Sequence, residues 1–189
     1  MINLIKKLIV LKIFSMMFLL SNCSSTNFNK KESQLSDVEI YSKGLDLIKK
    51  GDLKKATLKF DDVFLNHPFS SLAAKSEIMS AYSLYQSNEI KKAVSKLISF
   101  IEMNPKGELT KYAHYLLAMC YYAGVSSEDR DPSASIKSLN YFKLIVTKYP
   151  NTKYAKDAKL KIQFLKNTLA GNELNIGKFY LRKGAPASS

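Results

Sequence analysis

Two apolar patterns divide the chain. Residues 8–20 form an almost unbroken apolar run from Leu8 to Leu20, interrupted only by Lys12 and Ser15, behind a basic amino end carrying Lys6 and Lys7. From Leu35 onward the apolar residues recur at three- and four-residue intervals, the period of helices with one buried face, and no alternating strand pattern persists. Ser36-Asp37-Val38-Glu39 predicts a helix start, because a hydroxyl and a carboxylate three residues apart satisfy the first free backbone donors. Ile40, Leu45, Leu47 and Ile48 continue that helix until Gly51-Asp52 breaks it. A second helix then carries Ala56, Phe60, Val63 and Phe64 and stops before Pro68.

The same unit recurs. Gly44, Ala56 and Pro68 reappear as Ala81, Ala93 and Pro105, each displaced by 37 residues, and Ala118 follows Pro105 by 13 residues as Ala81 follows Pro68. The third unit ends at Pro150, 45 residues after Pro105, so about eight residues are inserted, visible as 125–131. Asp131-Pro132 is expected to restart the helix as cap and first-turn proline. A fourth pair is predicted to begin near Thr152, with a further helix over roughly 172–183. Small residues at fixed offsets let paired helices approach closely, and a proline after each pair forbids continuation. That is the construction of a tetratricopeptide repeat. The expected fold is an all-α solenoid of about four helix pairs and a shortened last repeat, spanning 36–185, with a disordered tail at 186–189.

In such a solenoid the first helix of each pair lines the concave face, through its second, fifth, ninth and twelfth repeat positions. Registering on Gly44, Ala81 and Ala118 gives Val38, Tyr41, Leu45 and Ile48, then Lys75, Ile78, Tyr82 and Tyr85, then Tyr112, Tyr115, Met119 and Tyr122. Six of the chain's 11 tyrosines fall on these twelve positions, where chance would place fewer than one. Tyrosine offers a broad apolar face and a hydroxyl at small entropic cost, which suits a groove gripping extended peptide. The competing reading is that these rings fill space between neighbouring first helices.

The amino end reads as an address. The apolar run is too short to span a bilayer, which needs about 20 apolar residues, but it suits a secretion signal. It ends Leu20-Ser21-Asn22-Cys23, which resembles a bacterial lipobox, although Asn22 stands where a smaller residue is usual. The resemblance implies a signal peptide over 1–22 and a lipid on Cys23, the first residue of the mature protein. Ser24 after the cysteine points to the outer membrane, and the polar stretch that follows makes 23–35 a flexible tether.

Composition then removes other functions. Two cysteines, Cys23 and Cys120, and two histidines, His67 and His114, cannot build a disulfide scaffold or a closely spaced zinc site. Cys120 beside Ala118 is expected to be a small core residue, and His67 before Pro68 to serve a helix end. His114 lacks an acidic or thiol partner at useful spacing. Asp61 and Asp62 point in different directions on one helix, and phosphate-binding glycine loops are absent. Catalysis has no candidates, and neither a metal nor a cofactor is expected beyond the lipid. The net charge of +13 favours anionic surroundings, but the lysines are dispersed among the helices and no nucleic-acid signature accompanies them.

Several stretches together resemble the BamD family, the lipoproteins of the outer-membrane β-barrel assembly machinery. They are His67-Pro68-Phe69-Ser70 with Met79-Ser80-Ala81-Tyr82 and Tyr85, Arg130-Asp131 with Ser133-Ala134, Tyr154-Ala155-Lys156-Asp157-Ala158, Leu169-Ala170-Gly171, and Phe179-Tyr180-Leu181 with Gly184. The resemblance covers roughly 38–185. It implies a non-enzymatic protein on the periplasmic side of the outer membrane, associated with the barrel-forming BamA subunit and smaller accessory lipoproteins. It also implies recognition of unfolded barrel proteins by the amino-terminal repeats, with Tyr82, Tyr85, Tyr115 and Tyr122 stacking on the peptide and Lys75 attracting its terminal carboxylate. Members usually continue with further helices, so the apolar Ile176, Phe179 and Tyr180 are expected to need a partner. The alternatives are a periplasmic repeat adaptor of the Tol-Pal type and a non-catalytic remnant of a cell-wall enzyme. The first often carries an amino-terminal coiled coil, of which no heptad run is visible. The second needs a cleft acid that nothing in the sequence nominates.

Overall fold

The structure is a computed structural model and describes residues 35–125 and 132–184. The chain divides into two units, Met1–Leu35 and Ser36–Ser189. The expected signal segment, Cys23 and the expected tether up to residue 34, Asp131 and the expected tail at 186–189 lie outside the described residues.

Seven helices make up the described part of the second unit: α1 (Asp37–Lys49), α2 (Leu53–Asn66), α3 (Ala73–Gln86), α4 (Ile90–Met103), α5 (Thr110–Ala123), α6 (Ser133–Lys148) and α7 (Lys153–Arg182). Each packs on its neighbours in sequence, and the first helices of successive pairs also meet, α3 on α5 and α5 on α7. This is the all-α repeat architecture that the proline and small-residue spacing predicts.

Local chemistry sets the ends. Ser36 and Glu39 form the expected capping box, with the Glu39 N–H donating to Ser36 Oγ at 3.3 Å and the Ser36 N–H to Glu39 Oε2 at 2.9 Å. The first turn between paired helices uses Gly51 at φ +77°, and 37 residues later Asn88 takes φ +63° at the same place. Glycine reaches this left-handed region freely, and asparagine is among the few side chains that tolerate it. The prolines act on the residue before them. His67, Asn104 and Tyr149 each end a helix with φ between −126° and −131° and ψ between 51° and 54°. A following proline disfavours helical geometry at that position, so three equivalent prolines produce three equivalent stops. In each case the backbone N–H still donates to a carbonyl four residues back, on Val63, Phe100 or Ile145.

The core repeats with the turns. The second helices bury Ala56, Ala93 and Ser138 at one level, Phe60, Leu97 and Phe142 at the next, and Val63, Phe100 and Ile145 at a third. Each large side chain contributes about 1.5–3 kcal/mol by leaving water. Ser138, where its counterparts are alanine, satisfies its hydroxyl by donating to the Ala118 carbonyl at 3.1 Å. Gly44 explains the small residue in the first helix, because a Cβ there would lie 2.7 Å from Cε1 of Phe60.

Two expectations need correcting. The helix expected at 172–183 is not separate, because α7 runs unbroken for 30 residues from Lys153 to Arg182. Gly171 costs only about 1 kcal/mol inside a helix, and unlike the earlier stops no proline enforces a break. The α6 start also shifts by one residue. Pro132 occupies the cap position, with the Ile136 N–H donating to its carbonyl, and the first helical residue is Ser133. No helix among the described residues is long and apolar enough to cross a membrane.

Candidate functional site

The sequence register places a row of side chains along the first helices, and the contacts between α3, α5 and α7 decide what that row becomes. On α5, Tyr112, Tyr115 and Tyr122 are half-buried and meet rings from later helices. Tyr112 and Tyr115 approach Tyr154 of α7 with ring centroids 5.5 and 5.0 Å apart. Tyr115 also meets Phe142 at 6.3 Å, and Tyr122 meets Phe142 at 6.0 Å and Phe164 at 5.9 Å. The Tyr115 hydroxyl donates to Asp157 Oδ2 at 2.7 Å, and Lys161 holds the other carboxylate oxygen at 3.0 Å. Lys161 lies over the Tyr122 ring as well, 5.5 Å from its centroid. Met119 packs into the apolar cluster shared by α5, α6 and α7.

On α3 the picture differs. Tyr82 and Tyr85 rest partly on the core between α3, α4 and α5, yet neither has a ring partner among the described residues. The Tyr82 hydroxyl accepts from Gln86 Nε2 at 3.0 Å on the exposed side, and Lys75 is exposed. Ile78 is a correction. At 2% exposure it is sealed into the core beside Ala81 and Leu97, because α4 and α5 close over that side of α3. It cannot line a groove. On α1, Tyr41 packs edge-on against Phe60 at 5.4 Å, Leu45 and Ile48 are half-buried, and Val38 is exposed.

Burial raises several of the phenols, and neighbouring hydroxyls add to it. Burial pushes the Tyr112 hydroxyl up to about 12, with the neighbouring Tyr82, Tyr154 and Tyr85 adding to the shift. Tyr115 is raised by burial and then by its bond to the Asp157 carboxylate, and Tyr85 is raised by burial, then by Cys120 and Tyr82. All three are neutral donors or acceptors at neutral pH. Cys120 is buried and its thiol is pushed up to about 12 by desolvation, so it behaves as a small core residue. His114 is buried between Tyr141 and Tyr149, at ring-centroid distances of 6.4 and 6.0 Å.

Sequence reasoning missed the α7 contribution. Counting the same offsets from Pro150 that place Tyr112 to Tyr122 after Pro105 yields Asp157, Leu160, Phe164 and Asn167. Leu160 and Phe164 are 73% and 52% exposed, so the row does continue onto a surface there. The signal was present in the proline spacing, but the insertion before α6 obscured it.

The arrangement is a strip of phenol rings and apolar side chains across three stacked helices, with the Asp157–Lys161 pair on α7 and the exposed Lys75 on α3. It presents aromatic and apolar surface, with Leu160 and Phe164 exposed on α7. The YfiO family, described as an outer membrane lipoprotein family, matches residues 33–189. The chain belongs to that family. It is 39% identical over 150 residues to the outer membrane protein assembly factor BamD of Rickettsia prowazekii, covering 79% of this chain and 60% of that protein. The BamD of Caulobacter vibrioides is 36% identical over 145 residues, which is 77% of this chain and 48% of the relative. The Neisseria gonorrhoeae BamD is 26% identical over 180 residues, 88% of this chain and 67% of the relative. The chain therefore spans about half to two thirds of the relatives it matches.

Proposed function

We propose that this protein is a non-enzymatic factor of outer membrane protein assembly that binds unfolded barrel-protein segments along the face formed by its first helices. The observation that carries the reading is the tyrosine strip, in which Tyr82 and Tyr85 keep ring surface free of aromatic partners while resting, like Tyr112, on the core between α3, α4 and α5. An aromatic or apolar side chain arriving in an extended segment gains stacking area there, and the exposed Lys75 on the same helix supplies a charge for a terminal carboxylate. The relatives named as assembly factors support the same role.

The protein acts, in this reading, on the periplasmic side of the outer membrane, held by a lipid on Cys23. Its partners are the barrel-forming BamA subunit, the accessory lipoproteins of the machinery and unfolded outer membrane proteins. Titrating a labelled carboxy-terminal peptide of a barrel protein tests the binding face. Replacing Tyr82 and Tyr85 together by alanine is expected to weaken binding at least tenfold, and unchanged affinity removes the face from consideration. Membrane fractionation of a Cys23→Ser variant tests the tether, with release from the membrane fraction as the expected outcome.

A further inference from the structure

A second site lies between the second helices α2 and α4 and does not depend on the tyrosine strip. The two helices leave a groove of about 1030 Å³ whose floor is α3. Its walls carry apolar groups, Leu58 and Phe64 on α2 and Met103 on α4, interspersed with the hydroxyls of Ser95 and Ser99. Glu77 of α3 lines the groove although its residue is only 5% exposed.

The Glu77 carboxylate is the unusual feature. Among the described residues, no hydrogen bond or ion pair reaches it. Lys96, the cation whose charge acts on it, is already committed to Asp61, with Nζ 2.8 Å from Oδ1. Burial disfavours the Glu77 charge, Lys96 offsets this in part, and Asp61 opposes it again. The carboxylate oxygens open onto the groove and are not sealed in the core, so a cation entering the groove gains a charge-assisted hydrogen bond in partly desolvated surroundings. At the rim, Lys54 and Lys92 stand beside Glu89, which pairs with Lys92. A ligand with several positive charges meets repulsion there, whereas a single one passes to the floor.

Size and shape select the ligand. The volume is at the upper end of the ~300–1,000 Å³ that small-molecule pockets occupy. The groove is bounded by 14-residue helices, each about 21 Å long, which matches roughly six residues of extended chain at about 3.3 Å each. The apolar and hydroxyl groups on its walls suit the side chains and backbone polar groups of such a chain.

We infer that the α2–α4 groove binds an extended polypeptide segment of a partner protein through one arginine or lysine that pairs with Glu77, while flanking apolar side chains contact Leu58, Phe64 and Met103. This site goes beyond the capture of unfolded barrel proteins, because it is walled by α2 and α4, contains none of the tyrosines and selects a basic residue.

The test uses the full chain in detergent and two fluorescein-labelled heptapeptide libraries with leucine and serine flanks. One library carries arginine at its centre, and the other carries citrulline, which keeps the shape without the charge. The arginine library is expected to bind at least tenfold more tightly, and Glu77→Gln is expected to reduce it to the citrulline level. Ser95→Arg, at an exposed wall position, should block both libraries while helical circular dichroism stays unchanged. Equal binding of the two libraries, no binding of the arginine library at millimolar concentration, or retention of the arginine preference in Glu77→Gln would each overturn the proposal. Glu77→Gln is expected to leave the affinity for a barrel-protein carboxy-terminal peptide unchanged, so failure here and failure of the tyrosine face give different results.

Discussion

Helices α3 and α5 hold the same place in successive repeats and carry tyrosines on the same register, Tyr85 and Tyr122 at the one equivalent pair, yet those tyrosines have different surroundings. On α5, Tyr115 and Tyr122 lie against Phe142, with Tyr154 and Phe164 of α7 as further neighbours. Equivalent positions on α3 hold Ile78, which is sealed in the core, and Tyr85, which keeps a face without an aromatic partner. The register is the same in both helices. The packing of the following repeat determines whether a ring keeps surface of its own or becomes filler between helices.

The largest expected effect comes from removing what lies under the closed half. Phe142 is fully buried and touches both Tyr115 and Tyr122. Phe142→Ala should cost about 3–5 kcal/mol, the usual range for a large aromatic lost from a core without full collapse. Urea denaturation measures this directly. Hydrogen exchange should rise first in α5, α6 and α7 while α3 and α4 keep their protection. Uniform loss of protection would mean that the two halves are not energetically distinct.

A smaller effect isolates the hydroxyl that ties α5 to α7. Tyr115→Phe removes the bond to Asp157 and leaves that carboxylate its pair with Lys161. Hydrogen bonds to charged groups contribute about 1.5–3 kcal/mol, and partial exposure and the remaining ion pair place this one near 1.5 kcal/mol. The same region sets an alkaline limit. Tyr112 is raised from 10.0 to about 12 by burial, so the folded state holds that proton more tightly than the unfolded chain. Its contribution is complete below pH 10 and is lost as the pH rises from 10 through about 12. Tyr115 is raised in the same direction. Spectrophotometric titration should show a late group of phenols that ionise together with unfolding. A double replacement of Tyr112 and Tyr115 by phenylalanine should remove that late step, and its persistence would assign it elsewhere.

What the sequence could reveal depended on how local the cause was. The helix stops were legible because a proline acts on the single residue before it, and His67, Asn104 and Tyr149 have nearly the same backbone geometry. The Ser36–Glu39 cap and the Gly44–Phe60 contact follow from equally short-range or repeated features. The continuity of α7 was not legible, since Gly171 weakens a helix without forbidding one. Nor was the burial of Ile78, which depends on how closely α4 and α5 approach α3. The burial of Glu77, between Ser76 and Ile78, was not legible either. Its burial depends on two second helices separated by nearly 40 residues of sequence.

The smallest expected effect is the most discriminating between the open and the closed half. Tyr82→Phe deletes a hydroxyl whose protein partner is Gln86 Nε2 at 3.0 Å, at an exposed position one helical turn away. Water replaces that bond on either side, so the change in stability should stay within about 0.5 kcal/mol. The ring remains, and with it the apolar area that the proposed peptide face uses. Binding of a barrel-protein peptide should therefore change less than threefold in Tyr82→Phe. The Tyr115→Phe variant, by contrast, loses stability while its ring also stays in place. If Tyr82→Phe proved as destabilising as Tyr115→Phe, the α3 tyrosines would be as enclosed as those on α5, and the distinction between surface and filler would fail.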